Sequence, residues 1–142
     1  MEANEVISEA EYADIVMTLL NFPFGISSIT KLVFITFCVK HESDLSHYYN
    51  RKNDFVDVFL RNISLKLSAH YKEIGKIITV INMLCTSSKA IVNGDHIEPC
   101  HNLAFKTENS FLDFCASRVP NPISEINRLD AKAIIEEVIR YV

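Results

Sequence analysis

Between Ile63 and Pro99 the spacing of apolar positions changes from helical to strand-like. Apolar or aromatic residues first recur at alternating intervals of four and three, which places them along one face of a helix. They are Ile63, Leu67, Tyr71, Ile74, Ile78, Ile81 and Cys85. A second row widens that face and consists of Ile77, Val80 and Leu84. The pattern therefore predicts one long helix that is the most buried in the chain.

Two short β-forming runs follow this helix and flank the pair Asn93-Gly94. Asn-Gly between such runs favours a type I′ turn, in which both central residues have positive φ. The turn predicts a hairpin with a definite register, in which Lys89 is opposite Glu98 and Ala90 is opposite Ile97. A long helix followed by a hairpin forms the second half of a winged-helix unit.

The N-terminal part begins with a predicted helix that Ser8 caps, with Glu11 completing a capping box. The apolar positions that form its inner face are Tyr12, Ile15, Val16, Leu19 and Leu20. Pro23 and Gly25 follow at once, so the helix is expected to end near Leu20.

Ser27 or Ser28 caps a second predicted helix, which runs through Val39. This segment is rich in β-branched and aromatic residues, so a buried strand is the alternative. The polar segment 40–53 is predicted to be a loop with a possible short helix. Asp54 then caps a third helix to about Arg61, and a break or bend separates it from the long helix. The residues of this third helix that face inward are Phe55, Val58 and Phe59.

After the hairpin, 103–105 is predicted to be a third short strand and 108–117 a short helix. The inner residues of that helix are Phe111, Leu112 and Cys115. Pro120 and Pro122 are predicted to end the helical segment before them, and Ser124 is predicted to cap a final helix. Its apolar stripe consists of Ile126, Leu129, Ala133, Ile134, Val138 and Tyr141. This helix packs either on the chain's own core or on a partner.

Length and composition predict a single domain over residues 1–142, mainly α with a small β-hairpin. A winged-helix-like core takes about 8–99 and a C-terminal helical extension about 108–142. The four cysteines lack Cys-x-x-Cys spacing, the N-terminus lacks a signal-peptide pattern, and the longest apolar run, 32–39, is too short to span a membrane. We therefore expect a cytoplasmic protein without membrane contact.

Charge is unevenly distributed around a net value of −4. Residues 1–30 hold five acids and no Lys or Arg, and residues 40–76 hold seven bases against five acids. From residue 95 onward there are eight acids against five bases. An acidic total argues against a free-standing nucleic-acid binder, whereas separate basic and acidic regions are typical of a subunit with distinct faces.

The best candidates for contact with DNA phosphates lie in the basic middle segment, at Lys40, Arg51 and Lys52. His41, Tyr48 and Tyr49 are close to them in sequence. In DNA-binding proteins aromatic rings stack on nucleobases, while Lys and Arg neutralise the phosphates. The alternative is a solvated loop that does not bind DNA, because so few basic side chains contribute little affinity for DNA.

Chemical motifs are sparse. His96, Glu98 and Cys100 superficially resemble the pieces of a zinc deaminase, but they are fused within five residues and the second cysteine is missing. A structural zinc site would use His96, Cys100, His101 and Cys115, whose spacing matches no familiar zinc finger. The sequence has neither a Gly-x-Ser-x-Gly elbow nor a phosphate-binding glycine loop. We therefore expect no enzyme and no cofactor.

The order of these segments resembles a known family. The segments are Leu19-Leu20-Asn21-Phe22-Pro23-Phe24, the run Gly25–Ile35, a charged loop, the helix end Thr79–Leu84, the wing Ala90–Ile97 and the terminal helix Asp130–Val138. Together, from about Glu9 to Val142, they resemble the small middle subunit of three-component ABC-type systems. That group includes Lamassu-type anti-phage and anti-plasmid defence. The match is weaker over 40–53, where the loop is short and rich in histidine, and the segment 100–120 adds nothing to it.

The resemblance implies a non-catalytic, winged-helix-like subunit that bridges an SMC- or Rad50-like coiled-coil ATPase to an effector, often a nuclease. It would help to hold the effector inactive until foreign DNA is sensed, within a hetero-oligomer that meets DNA as a complex. One alternative is a stand-alone winged-helix transcriptional regulator, which needs a basic recognition helix. Another is a small hydrolase or deaminase built on His96, Glu98 and Cys100.

Overall fold

The computed structural model describes residues 3–41, 55–118 and 121–140. Its helices are α1 (Ala3–Leu20), α2 (Ile29–His41), α3 (Phe55–His70), α4 (Lys72–Thr86), α5 (Ser110–Ala116), α6 (Pro122–Asn127) and α7 (Ala131–Arg140). Strands β1 (Ala90–Asn93) and β2 (His96–Pro99) pair as an antiparallel hairpin. The protein is thus mainly helical with a small β-hairpin, as the sequence predicts. The predicted Asp54 cap lies outside the described residues.

Helix α1 has the predicted inner face but a different beginning. The five predicted residues from Tyr12 to Leu20 are all buried. The helix starts at Ala3, so the prediction that Ser8 caps it is wrong. The segment before Ser8 contains Ala and Glu, which favour helix, and no glycine or proline interrupts it. The chain then turns through Gly25, which adopts a φ of +58°.

Helix α2 is the centre of the molecule. The structure confirms a helix here instead of a strand, and Ser28 caps it through a bond from the Lys31 amide to Ser28 Oγ (3.3 Å). It packs against α1, α3, α4 and α7, and seven of its thirteen residues are buried. The prediction that the helix after Ile63 is the most buried is therefore wrong, because α2 is covered on more sides than α4.

The predicted long helix is interrupted, and the interruption lies further along the chain than the break predicted near Arg61. Helix α3 continues from Phe55 through position 61 because no glycine or proline interrupts it, and the break falls at Tyr71. Of the two predicted rows, the second is buried at all three positions. In the first row, Tyr71 and Ile78 are exposed, contrary to prediction.

The hairpin forms as predicted but in a different register. Ala90 pairs with Pro99, Ile91 with Glu98, Val92 with Ile97 and Asn93 with His96. Gly94 and Asp95 therefore occupy the turn, and of these two only Gly94 has positive φ (+63°), so the predicted type I′ turn centred on Asn93-Gly94 is wrong. The reason is tertiary: Ile97 N donates to Ser27 O (2.9 Å) and Ile29 N donates to Asp95 O (2.8 Å), which ties the turn to the start of α2.

The segment after the hairpin is not a strand. Positions 103–105 run without β pairing, and the Leu103 amide donates instead to the side-chain oxygen of Asn21 (3.2 Å). The predicted third strand is therefore wrong, because a side chain at the end of α1 satisfies this backbone group. Helix α5 follows as predicted, and its three predicted inner residues are buried.

The C-terminal part contains two helices where the sequence predicted one. Asn121 caps α6, because its side-chain Oδ1 accepts a hydrogen bond from the Ile123 amide (2.9 Å). Pro122 lies in the first turn of this helix instead of preventing a helix here. The prediction that Ser124 caps a helix is wrong for this reason. Helix α7 packs against α3, with Ile134 and Val138 buried and Ser64 Oγ donating to Val138 O (2.6 Å).

Within the part of the chain that the structure describes, every helix is too short or too polar to cross a lipid bilayer.

Candidate docking groove

The residues considered for metal binding or catalysis do not come together. His96 Nε2 lies 3.7 Å from Glu98 Oε2 on the exposed surface of the hairpin. Cys115 is completely buried in α5, and burial raises the pKa of its thiol to about 12, which keeps it protonated. Among the described residues, no group of three or more His, Cys, Asp or Glu side chains has the arrangement to hold a metal ion.

Only one of the three predicted phosphate contacts lies in the described part of the chain. Lys40, at the end of α2, forms an ion pair with the Glu11 carboxylate of α1. This pairing offsets the charge that a phosphate would otherwise meet at Lys40. Arg51 and Lys52 lie outside the described residues.

The described part of the chain forms an open apolar groove of about 750 Å³ on its surface. We call it the docking groove. Its walls come from the first half of α2, the end of α3, helix α4, strand β1 and helix α7. The residues that line it are Ile29, Thr30, Val33, Phe34, Leu67, Ile78, Ile81, Asn82, Cys85, Val92, Ile135, Val138 and Ile139.

The groove exposes large apolar side chains to solvent. Ile139 is 62% exposed, Ile78 45%, Val92 41% and Ile135 37%. Thr30 and Asn82 are the polar residues of the lining, which includes no charged side chain. A contiguous apolar surface of this kind marks an interaction site more often than a bare solvent face, because its burial against a partner is favourable.

The groove forms because the amphipathic helices α4 and α7 each have an apolar stripe that is wider than the part of the stripe that packs against the core. In α7, the side chains of Ile134 and Val138 are buried in the core. Ile135 and Ile139 each follow one of these residues in sequence, so their side chains lie further round the helix axis and reach the groove. In α4, Val80 and Leu84 are buried and Ile78 projects into the groove. The predicted stripe of the last helix did not include Ile135 and Ile139, and Ile78 was assigned to a buried face, so the groove was not predicted.

The hairpin wall of the groove is anchored to α2 by Asp95. Its carboxylate accepts from Ser28 Oγ (2.5 Å), the Thr30 amide (2.9 Å) and Thr30 Oγ1 (2.8 Å). Partial burial raises the pKa of Asp95, but these hydrogen bonds outweigh it and hold the pKa below its ordinary value. The carboxylate therefore stays charged at neutral pH and keeps Val92 at the edge of the groove.

A second polar arrangement joins α1, α2, α3 and α4, and we call it the interhelix cluster: Tyr12, His41, His70 and Glu73. Tyr12 is completely buried and donates to Glu73 Oε2 (2.6 Å), while its oxygen lies 3.2 Å from His41 Nε2. The rings of His41 and His70 stack with centroids 5.0 Å apart.

The surroundings of the interhelix cluster fix the charge of its members. Burial, and then the hydrogen bond to Glu73, raise the pKa of Tyr12, so its hydroxyl stays protonated. Burial alone raises the pKa of Glu73. The hydrogen bonds from Tyr12 and Lys76 together outweigh this effect, so the pKa of Glu73 lies below its ordinary value. Burial and the neighbouring His70 lower the pKa of His41, which favours its neutral form.

Comparison of the chain with protein-family models, with curated proteins and with solved structures found no significant match.

Proposed function

We propose that this protein is a non-catalytic bridging and regulatory subunit that links an SMC-like ATPase to an effector nuclease in a prokaryotic defence complex against phage or plasmid DNA. The docking groove is the observation that carries the proposal. In this reading the groove receives an amphipathic helix of the coiled-coil ATPase, and another face of the chain contacts the effector.

The shape and chemistry of the groove support a helical partner. Helices α2, α4 and α7 contribute most of its lining, and a further helix fits between neighbouring helices by placing its side-chain ridge in the space between them. The uncharged lining favours a partner face whose residues at i, i+3, i+4 and i+7 are apolar. A coiled-coil ATPase is rich in such helices.

Co-expression with the product of a neighbouring coiled-coil ATPase gene tests this function. We expect the two proteins to co-purify, and we expect Ile78→Asp to abolish co-purification because it buries a charge in the apolar interface. Met83→Asp is the matched control, since Met83 is also exposed on α4 (52%) but does not line the groove.

Both substitutions lie on the solvent side of the same helix, so the thermal unfolding temperature of the free chain should be similar for the two variants. Equal loss of the partner in both variants, or retention in both, argues against docking in the groove. The absence of a coiled-coil ATPase gene beside this one would argue against the defence complex itself.

A stand-alone DNA-binding regulator makes a different prediction. Helix α4 precedes the wing and would be the recognition helix. It has two basic residues, Lys72 and Lys76, and Lys76 lies 3.3 Å from Glu73 of the same helix. A bridging subunit should bind a bare duplex weakly at physiological salt, whereas a regulator binds specifically. A gel-shift titration against duplexes from the upstream region of its own gene separates these functions, and nanomolar specific binding would favour the regulator.

The predicted phosphate contacts have their own test. If Arg51 and Lys52 meet DNA phosphates within the assembled complex, Arg51→Ala with Lys52→Ala should reduce the slope of log affinity against log salt by about 2. Lys40→Ala should change the slope less, because Glu11 already pairs with Lys40. An unchanged slope in the double variant would remove these residues from the DNA interface.

A further inference from the structure

The helical path from Phe55 to Thr86 breaks at a place where the local sequence does not require a break. Tyr71, between α3 and α4, keeps helical dihedral angles (φ −56°, ψ −27°), and neither glycine nor proline occurs between Phe55 and Ile74. The interruption is one residue long, and the Ile74 amide donates to the Tyr71 carbonyl across it (3.2 Å). Contacts from other helices lie on both sides of this break.

Those contacts belong to the interhelix cluster, and they lie on both sides of the break. On the α3 side, His70 stacks on His41, and Lys66 Nζ donates to the His41 carbonyl (3.0 Å). On the α4 side, Glu73 accepts the hydrogen bond from Tyr12. Tyr12 has a single hydroxyl proton, so its oxygen accepts from Nε2–H of neutral His41. One connected set of contacts thus joins α3 and α4 across the break.

The same break lies between two walls of the docking groove. Leu67 lines the groove from the α3 side, and Ile78, Ile81 and Cys85 line it from the α4 side. A change in the angle at Tyr71 therefore changes the separation of these walls. Helix α4 therefore carries both residues that line the groove and Glu73 of the interhelix cluster.

We propose that the interhelix cluster is a proton-sensitive latch that holds the break between α3 and α4 and thereby sets the width of the docking groove. This inference rests on the proposed function, because it describes the regulation of the same groove. In the neutral state of His41 the latch is closed, with the stack on His70 and the chain of hydrogen bonds through Tyr12 to Glu73 in place.

Protonation of His41 opens the latch through electrostatic repulsion. Among the described residues, the titratable or charged groups near His41 are Tyr12 from α1, Lys40 from α2, Lys66 and His70 from α3, and Glu73 from α4. Glu73 favours the imidazolium, whereas His70, Lys40 and Lys66 oppose it, and burial opposes it most. A charge on His41 is opposed by His70, Lys40 and Lys66, and in the proposed latch this repulsion breaks the stack on the α3 side of the break.

Methyl NMR of the free chain tests the latch. The isoleucine methyl resonances of Ile78 and Ile81 are followed from pH 8 to pH 4.5 together with the imidazole resonances of His41. We expect the two groove methyls to shift with the same midpoint as His41, and that midpoint to lie below 6.5. In His41→Gln these coupled shifts should disappear, whereas in the control His96→Gln, on the exposed hairpin, they should persist.

Tyr12→Phe provides a second variant in case His41→Gln does not fold. It keeps the imidazole but removes the hydroxyl between His41 and Glu73, so His41 should still titrate while the groove shifts fall at least twofold. Groove methyls that stay constant while His41 titrates, or that shift unchanged in His41→Gln, would overturn the latch. Because the free chain is measured, loss of the coupled shifts leaves the docking function standing, and failed co-purification leaves the latch standing.

Discussion

Asp95 is a solvent-exposed residue that completes the hydrogen bonding at the start of α2. Its backbone carbonyl accepts from the Ile29 amide and its carboxylate from the Thr30 amide, while Ser28 Oγ accepts from the Lys31 amide. Every helix begins with amides that have no partner within the helix, and here the turn of the hairpin supplies two of the acceptors. The negative charge also lies at the positive end of the helix dipole, where it is favourable.

Asp95→Ala should lower the free energy of unfolding by about 1 kcal/mol at pH 7, the usual loss on removal of a helix cap. The folded-state pKa of Asp95 lies below its ordinary value of 3.8, so this contribution is complete above pH 3.8 and disappears as the pH falls below it. Urea unfolding at pH 7 and pH 3 measures the difference. Glu98→Ala is the control, because Glu98 is an exposed hairpin residue whose removal should change stability little.

At the scale of the elements, glycine has opposite effects in the hairpin and in α4. Gly94 has a φ of +63°, a conformation that side chains with a Cβ disfavour. Gly75 lies within α4, where a Cβ would meet no atom within 4 Å. The hairpin therefore needs its glycine, whereas the helix tolerates one at a cost in conformational entropy.

Gly94→Ala should destabilise the protein by about 1 kcal/mol, because the new Cβ is strained at positive φ. Gly75→Ala should stabilise it by about 0.5–1 kcal/mol, because alanine restricts the unfolded chain and is the best helix former. Thermal unfolding of the two variants beside the wild type measures both effects. Stabilisation by Gly94→Ala would contradict the turn conformation described here.

At the scale of the whole molecule, one continuous core joins the N-terminal and C-terminal parts. Phe111, Ile126 and Ile134 belong to the same cluster of buried side chains as the residues of α1 and α2. The C-terminal helix α7 packs on its own chain through one face and leaves Ile135 and Ile139 in the docking groove. The structure shows packing of α7 on the chain's own core, whereas packing of its other face on a partner stays a prediction.

Ile134→Ala should lower the free energy of unfolding by about 2–5 kcal/mol, because Ile134 is 1% exposed and its truncation leaves a cavity. Ile139→Ala should change the stability of the free chain by no more than about 0.5 kcal/mol, because Ile139 is 62% exposed. Denaturant unfolding of both variants gives the comparison. A similar loss in the two variants would show that Ile139 packs in the core.

Several features of the fold could be predicted from local sequence because local physics decides them. The spacing of apolar residues located α1 and its inner face, Ser28 located the start of α2, and Asn93-Gly94 located the hairpin. The inner residues of α5 followed from the same periodicity. In each case backbone geometry and burial of one helix face act over a few residues, so a short window contains the cause.

Other features depend on groups that are distant in sequence, and only the tertiary structure decides them. The register of the hairpin follows from Ser27 and Ile29, about seventy positions before their partners. Tyr12 of α1 and His41 of α2 contact residues on the two sides of the break at Tyr71. The docking groove exists because the apolar stripes of α4 and α7 are wider than their shared contact with the core. Amphipathicity shows that a helix has an apolar face, but the neighbouring helices determine how much of that face remains in solvent.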